Sequence, residues 1–248
     1  MPLRRLHAAT TDFQDVEIWR SSASCEFRVA GAVHAWWHRD RFLTGLAWDN
    51  LAAGALLRPS GPPSSILMLG LAGGTTLHTL RHLLPDCRFT AVDIDAAMVR
   101  LAEEHMALDD CGVEIHIADA YEWAETCTDT FDVVIDDCYL AGEDDVYRPE
   151  KKPERGINKL RRLLHPDGLF LTNLVTGSGH RRIQSRTRAA FKRSFTTVRS
   201  VTTPDSMNET LVGGDAVLSG SALNPWTSEF RDSKDRDYWK RIEVRKLK

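Results

Sequence analysis

The run Ile66-Leu-Met-Leu-Gly70-Leu-Ala-Gly73-Gly74, followed by Val92-Asp93-Ile94-Asp95, constrains this chain most. A short apolar strand enters a glycine turn. A helical stretch follows, and a second apolar strand ends on an acid. That is the first half of a nucleotide-binding βαβ unit. The glycines let backbone N–H groups approach a ligand closely, and the acid accepts hydrogen bonds from a ribose.

The alternation continues. Strands are predicted at 66–69, 88–93, 113–117, 131–136 and 168–174, separated by helices at 74–84, 96–107, 120–126, 154–164 and 179–193. Two more strands, near 195–202 and 208–218, follow with no helix between them. The pattern predicts an α/β fold, Rossmann-like with seven strands: a parallel sheet covered on both faces, with an antiparallel pair at one edge. Ahead of it, residues 15–48 read as a small β-hairpin region turning at Gly31, and 46–58 as a helix. The Pro-Ser-Gly-Pro-Pro-Ser-Ser stretch at 59–65 reads as a linker. The expected organisation is a hairpin-and-helix cap over 1–60, the Rossmann-like domain over 61–222 and a charged tail over 223–248.

With 248 residues, 42% of them hydrophobic and 27% charged, the chain can build a sizeable core. A formal net charge of −3 gives no electrostatic case for nucleic acid or a membrane surface as partner. No apolar run is long enough to span a bilayer and no secretion leader is visible, so the expectation is a cytoplasmic protein. Cys25, Cys87, Cys111, Cys127 and Cys138 are scattered without a CxxC. That favours reduced thiols and argues against a zinc site, and no metal is expected. Glu143-Asp-Asp145 reads as a solvated loop, with service to a cationic substrate as the alternative. Arg181-Arg182 and Lys151-Lys152 are too sparse to argue for RNA.

Acids recur at the ends of successive strands: Asp93, then Asp119, then Asp136 and Asp137. In an open α/β sheet these ends converge on one crevice. Asp93 can accept from ribose hydroxyls and Asp119 from an adenine amino group. Each also suits a helix N-cap, and for Asp119 capping is as good a reading. The turn departs from G-x-G-x-x-G, with Ala72 at the second glycine, and no P-loop lysine follows. S-adenosylmethionine (SAM) has no phosphate and needs less of that cradle, so it fits better than a dinucleotide.

On these motifs the chain resembles the spermidine synthase-like branch of the class I SAM-dependent transferases, from about Thr44 to Gly214. Leu67-Met-Leu-Gly-Leu-Ala-Gly-Gly-Thr is similar to the family's glycine turn, Val92-Asp-Ile-Asp to its ribose motif and Ile117-Ala-Asp-Ala to its adenine motif. Phe131-Asp-Val-Val-Ile-Asp-Asp resembles the strand that leads to the active-site loop. The resemblance implies cofactor binding by Gly70, Ala72, Gly73, Asp93, Ile94, Asp119, Ala120 and Asp136, and a homodimer.

Three departures stand out. The family's aminopropyltransferases place an aspartate where this chain has Gly73, a second acid where it has Leu140, and a Tyr-Gln-Glu where it has Trp48-Asp-Asn50. A diamine is a dication, and removing carboxylates from its pocket leaves charge unpaired. The expectation from these losses is intact SAM and methyl transfer to a small molecule. Trp36, Trp48, Tyr139 and Leu140 would wall an aromatic or heterocyclic acceptor, an indole-type specialised metabolite. Asp137 is the first candidate base, with His34 and Tyr139 behind it; His34 more simply reads as a solvated hairpin residue, and Tyr139 as pocket wall. The alternatives are an aminopropyltransferase using decarboxylated SAM and a non-catalytic protein that binds SAM or its product.

Overall fold

The computed structural model describes residues 2–140, 142, 146–149 and 153–248. Glu143, Asp144, Asp145, Lys151 and Lys152 lie outside the described residues.

The N-terminal part is larger than a hairpin. Strands β1 (Arg4–Thr10), β2 (Asp15–Arg20), β3 (Ser24–Val29) and β4 (Ala32–His38) form a four-stranded antiparallel sheet in chain order. Val16, Ile18, Cys25, Phe27, Val29 and Ala35 point inward from it and are buried. Helix α1 (Ala47–Ala55) follows. Its turn of entry is held by the buried Asp49, which accepts from Thr44 N, Thr44 Oγ1 and Gly45 N.

The main sheet begins at β5 (Ser65–Leu69), every residue of which is buried. Then come α2 (Thr75–Leu83), β6 (Arg88–Asp93), α3 (Ala96–His105), β7 (Val113–Ile117), α4 (Ala120–Thr126) and β8 (Phe131–Asp136). Next are α5 (Pro153–Arg161), β9 (Leu164–Val175), α6 (Arg181–Ser194), β10 (Thr197–Thr202) and β11 (Asn208–Gly214). The chain finishes with α7 (Ser233–Lys240) and β12 (Glu243–Lys246). The spatial order is β12-β10-β11-β9-β8-β5-β6-β7. Strands β7, β6, β5, β8 and β9 are parallel, while β11, β10 and β12 are antiparallel. After β5 the chain builds outward through β6 and β7, then returns to place β8 on the other side. That reversal opens a crevice at the carboxyl ends of β5, β6 and β8. Two apolar layers cover the sheet. One joins it to the cap, α1, α2 and α3, and the other to α4, α5 and α6.

The sheet thus has eight strands rather than seven, because residues expected as a charged tail supply β12. Within that segment Trp239 is 2% exposed and donates from Nε1 to Leu223 O at 2.9 Å. Asp235, 1% exposed, accepts from Phe42 N at 2.7 Å and pairs with Arg41. No helix among the described residues is long and apolar enough to cross a membrane.

Candidate active site

A cavity of about 500 Å³ opens at the carboxyl ends of β5, β6 and β8, between the main sheet and the cap. Its first wall is the turn after β5. Gly70 has φ +81°, and a Cβ there would lie 2.5 Å from Asp137 O, so only glycine lets the two chain segments cross. Asp93 Oδ2 accepts from Leu71 N at 2.7 Å and Ala72 N at 2.9 Å, and its Oδ1 accepts from Asp95 N at 2.9 Å. The carboxylate expected to face a ribose therefore also shapes the glycine turn.

Asp119 serves as a cap and as a cavity wall. Its Oδ1 accepts from Tyr121 N at 2.8 Å and Glu122 N at 3.0 Å, and it lines the cavity beside Ala120. Ile94, His34, Trp48, Tyr139, Leu140, Gly70, Ala72 and Asp137 line it as well.

Three expected residues lie elsewhere. Asp136 points away from the cavity, since successive residues at a strand end face opposite sides; it is 5% exposed and paired with Arg148 and Tyr121. Trp36 lines a separate pocket with His38, Arg41 and His82. Gly73 is closed over by the cap: a Cβ there would meet both Ala35 Cβ and Met106 Sδ at 2.4 Å. The space that an acid side chain at position 73 would take is therefore occupied by Ala35 and Met106.

Asp137 follows the last residue of β8. Burial pushes its carboxyl up to about 7, against the Asn173 Nδ2 hydrogen bond at 2.8 Å and the Arg148 charge, which pull it down. Such a group exchanges protons near neutrality, as a general base must. Tyr139 is less suited, because its hydroxyl already donates to Asn173 O at 3.0 Å and burial raises its proton affinity. Burial also lowers the proton affinity of His34, which keeps its ring neutral.

Sequence reasoning missed several wall residues. Asn173 sits in an otherwise apolar strand, Leu-Phe-Leu-Thr-Asn-Leu-Val, where two adjacent polar residues are the detectable signal. Asp205, Ser206, Met207 and Asn208 reach the cavity from the β10–β11 connection, which carries no motif.

A family description for a methyltransferase domain matches residues 64–242. Polyamine aminopropyltransferase of Neisseria meningitidis serogroup A is 30% identical over 134 residues, 53% of this chain and 50% of that protein. The eEF1A lysine and N-terminal methyltransferase homolog of Drosophila pseudoobscura pseudoobscura is 33% identical over 120 residues, 44% of this chain and 17% of that protein. The chain thus spans half the length or less of these curated relatives. A probable spermidine synthase from Corynebacterium glutamicum superposes with a TM-score of 0.76 at 19% identity, covering 99% of this chain and 91% of the other. That likeness, at the level of the fold, extends through the cap. With a family match over residues 64–242, the chain belongs to the methyltransferase-domain family, and its fold is similar to that of the spermidine synthase structure.

Proposed function

We propose that this chain transfers an aminopropyl group from decarboxylated SAM to an amine. The observation that carries this reading is the charge of the cavity wall. Asp93, Asp95, Asp119, Asp137 and Asp205 line it, and no lysine or arginine does so among the described residues. Asp205 pairs with an external cation, Arg241 at 2.7 Å, and the Arg148 charge reaches Asp137 from beneath the site. A like charge brought into such a wall costs several kcal/mol, on the order of the penalty for a mismatched interface. Intact SAM would bring its carboxylate here unanswered. Decarboxylated SAM and an amine acceptor bring only positive charge. The curated relatives named polyamine aminopropyltransferase support the same reading.

The residues fit an adenosyl donor: Asp93 for the ribose, Asp119 for the adenine amino group, and the 70–72 turn for the sulfur-bearing chain. When bound, the donor supplies a carbon already activated by a sulfonium. The protein's tasks are alignment, dryness and deprotonation. Asp137 takes a proton from the acceptor ammonium, freeing the nitrogen lone pair. That nitrogen forms the new C–N bond as the C–S bond breaks and a neutral thioether leaves. Leu140 and Trp48 favour an acceptor with a cationic amine at one end and an apolar body. Methyl transfer to a flat acceptor keeps one observation in its favour, Trp48 on the cavity wall.

Calorimetry with decarboxylated SAM and with SAM tests this, followed by turnover on a panel of diamines and monoamines. The expected result is at least tenfold tighter binding of decarboxylated SAM and release of its thioether. Tighter binding of SAM would overturn the proposal, and donor binding without turnover on any amine would favour a non-catalytic role.

A further inference from the structure

Arg148 lies between two residues of the cavity wall, Val146 and Pro149, yet turns away from the cavity. The chain after β8 reaches Leu140, pairs back through Tyr147 with reciprocal N–H to O bonds of 2.9 Å, and then sends Arg148 beneath the site. The side chain is 10% exposed, and both of its terminal nitrogens have partners. Its Nη1 donates to Thr172 Oγ1 and to Asn173 O, both at 2.8 Å. Its Nη2 pairs with Asp136 Oδ2 and meets Tyr121 Oη at 3.4 Å. The guanidinium also lies 5.2 Å from the Tyr139 ring centre. One residue thus ties together the ends of β8 and β9, helix α4 and the wall segment.

Asn173 makes this arrangement matter for the site. Its backbone carbonyl is held by Arg148 and Tyr139, and its side chain holds Asp137. We propose that Arg148 is a positioning residue: from below, it fixes the 146–149 wall and the Asn173–Asp137 contact in one geometry. The proposal rests on the reading of Asp137 as the base. The charged and titratable groups around Asp137 are Arg148 and Asp136 below, Cys138 and Tyr139 beside it, and His34, Asp93, Asp95, Asp119 and Asp205 elsewhere on the cavity wall. Arg148 is the cation among them.

The test follows the Asp137 carboxyl by ¹³C NMR across pH in the full chain, together with the acceptor KM. Arg148→Met should raise the Asp137 midpoint by about one pH unit, the effect of losing a nearby opposite charge. It should raise the acceptor KM at least tenfold. Arg148→Lys should restore the midpoint but only part of the KM. Arg148→Met also strands Asp136 without a cation, so Asp136→Asn/Arg148→Met removes both charges together. That double variant should fold with a near-native midpoint and a raised KM. Asp136→Asn alone should lower the midpoint, because it removes an anion. An unmoved midpoint in Arg148→Met overturns the proposal, as does a native KM in the double variant. If Arg148→Met does not fold, the double variant and Arg148→Lys carry the test, and a native KM in both overturns the proposal. The NMR midpoint needs no turnover, so a failed aminopropyl assay leaves this readout standing.

Discussion

Ala35 of the cap rests so closely on Gly73 of the cofactor turn that a Cβ built on the glycine would lie 2.4 Å from the alanine Cβ. Beside this contact, Trp36 N donates to Thr75 Oγ1 at 2.8 Å. The cap and the turn therefore form one packed unit. Gly73→Asp, which restores the acid of the aminopropyltransferase pattern, should destabilise the fold by about 1–3 kcal/mol through overpacking. That corresponds to a melting temperature about 3–10 °C lower. Pairing it with Ala35→Gly should recover part of the loss in thermal unfolding. An unchanged melting temperature for Gly73→Asp alone would count against the close contact.

Asp137 should govern the pH dependence of activity. With its carboxyl near 7, kcat/KM rises with pH as the base is freed. Asp137→Asn should abolish that limb and lower kcat by a hundredfold or more, leaving donor affinity within a few fold. Initial rates from pH 5 to 9 with calorimetry at pH 8 check both.

The same carboxyl makes a signed prediction for stability. Its affinity for a proton is higher folded than unfolded, so the folded state holds more protons between about 4 and 7. Stability from this group is complete below the unfolded value and is lost as pH rises through the folded one. Asp137→Asn should therefore be more stable than the native chain at pH 8, by about 1–3 kcal/mol. The difference should vanish by pH 4. The buried Asp49, also raised to about 7, should add a second contribution of the same sign. Urea melts at the two pH values measure this directly.

Asp93→Ala should weaken donor binding at least tenfold. It should also loosen the 70–72 turn, because Leu71 N and Ala72 N lose their shared acceptor. Buried donors left unpaired cost about 1–3 kcal/mol. Calorimetry and thermal unfolding on the same variant separate the two effects. Full donor affinity would remove the ribose assignment.

Much of this architecture was legible because β5 and β8 are continuous apolar runs and each turn or cap carries its own chemistry. Strand β1, Arg-Arg-Leu-His-Ala-Ala-Thr, is almost wholly exposed and so carries no buried-face pattern. Strand β12 is four residues with no buried face, made a strand only by pairing with β10. At the site, the acids could be read as a set, but which of Asp136 and Asp137 faces the ligand depends on register at a strand end. The loss of the turn acid was visible, whereas the side chains of Ala35 and Met106 that fill its place come from elements distant in sequence. The Arg148 anchor could not be read locally, because its partners Asp136, Thr172, Asn173 and Tyr121 lie 12 to 27 positions from it.

The main sheet ends at β7 on one flank and at β12 on the other. Along β7, Glu114 Oε1 and His116 Nε2 lie 3.3 Å apart, so an incoming foreign strand would meet polar groups. On the opposite flank, residues 243–246 take the hydrogen-bonding positions that β10 would otherwise offer to another molecule. Shortening the protein ahead of Glu243 would bare that ladder. The cost would be felt first as self-association in storage, with the crevice at the ends of β5, β6 and β8 still intact.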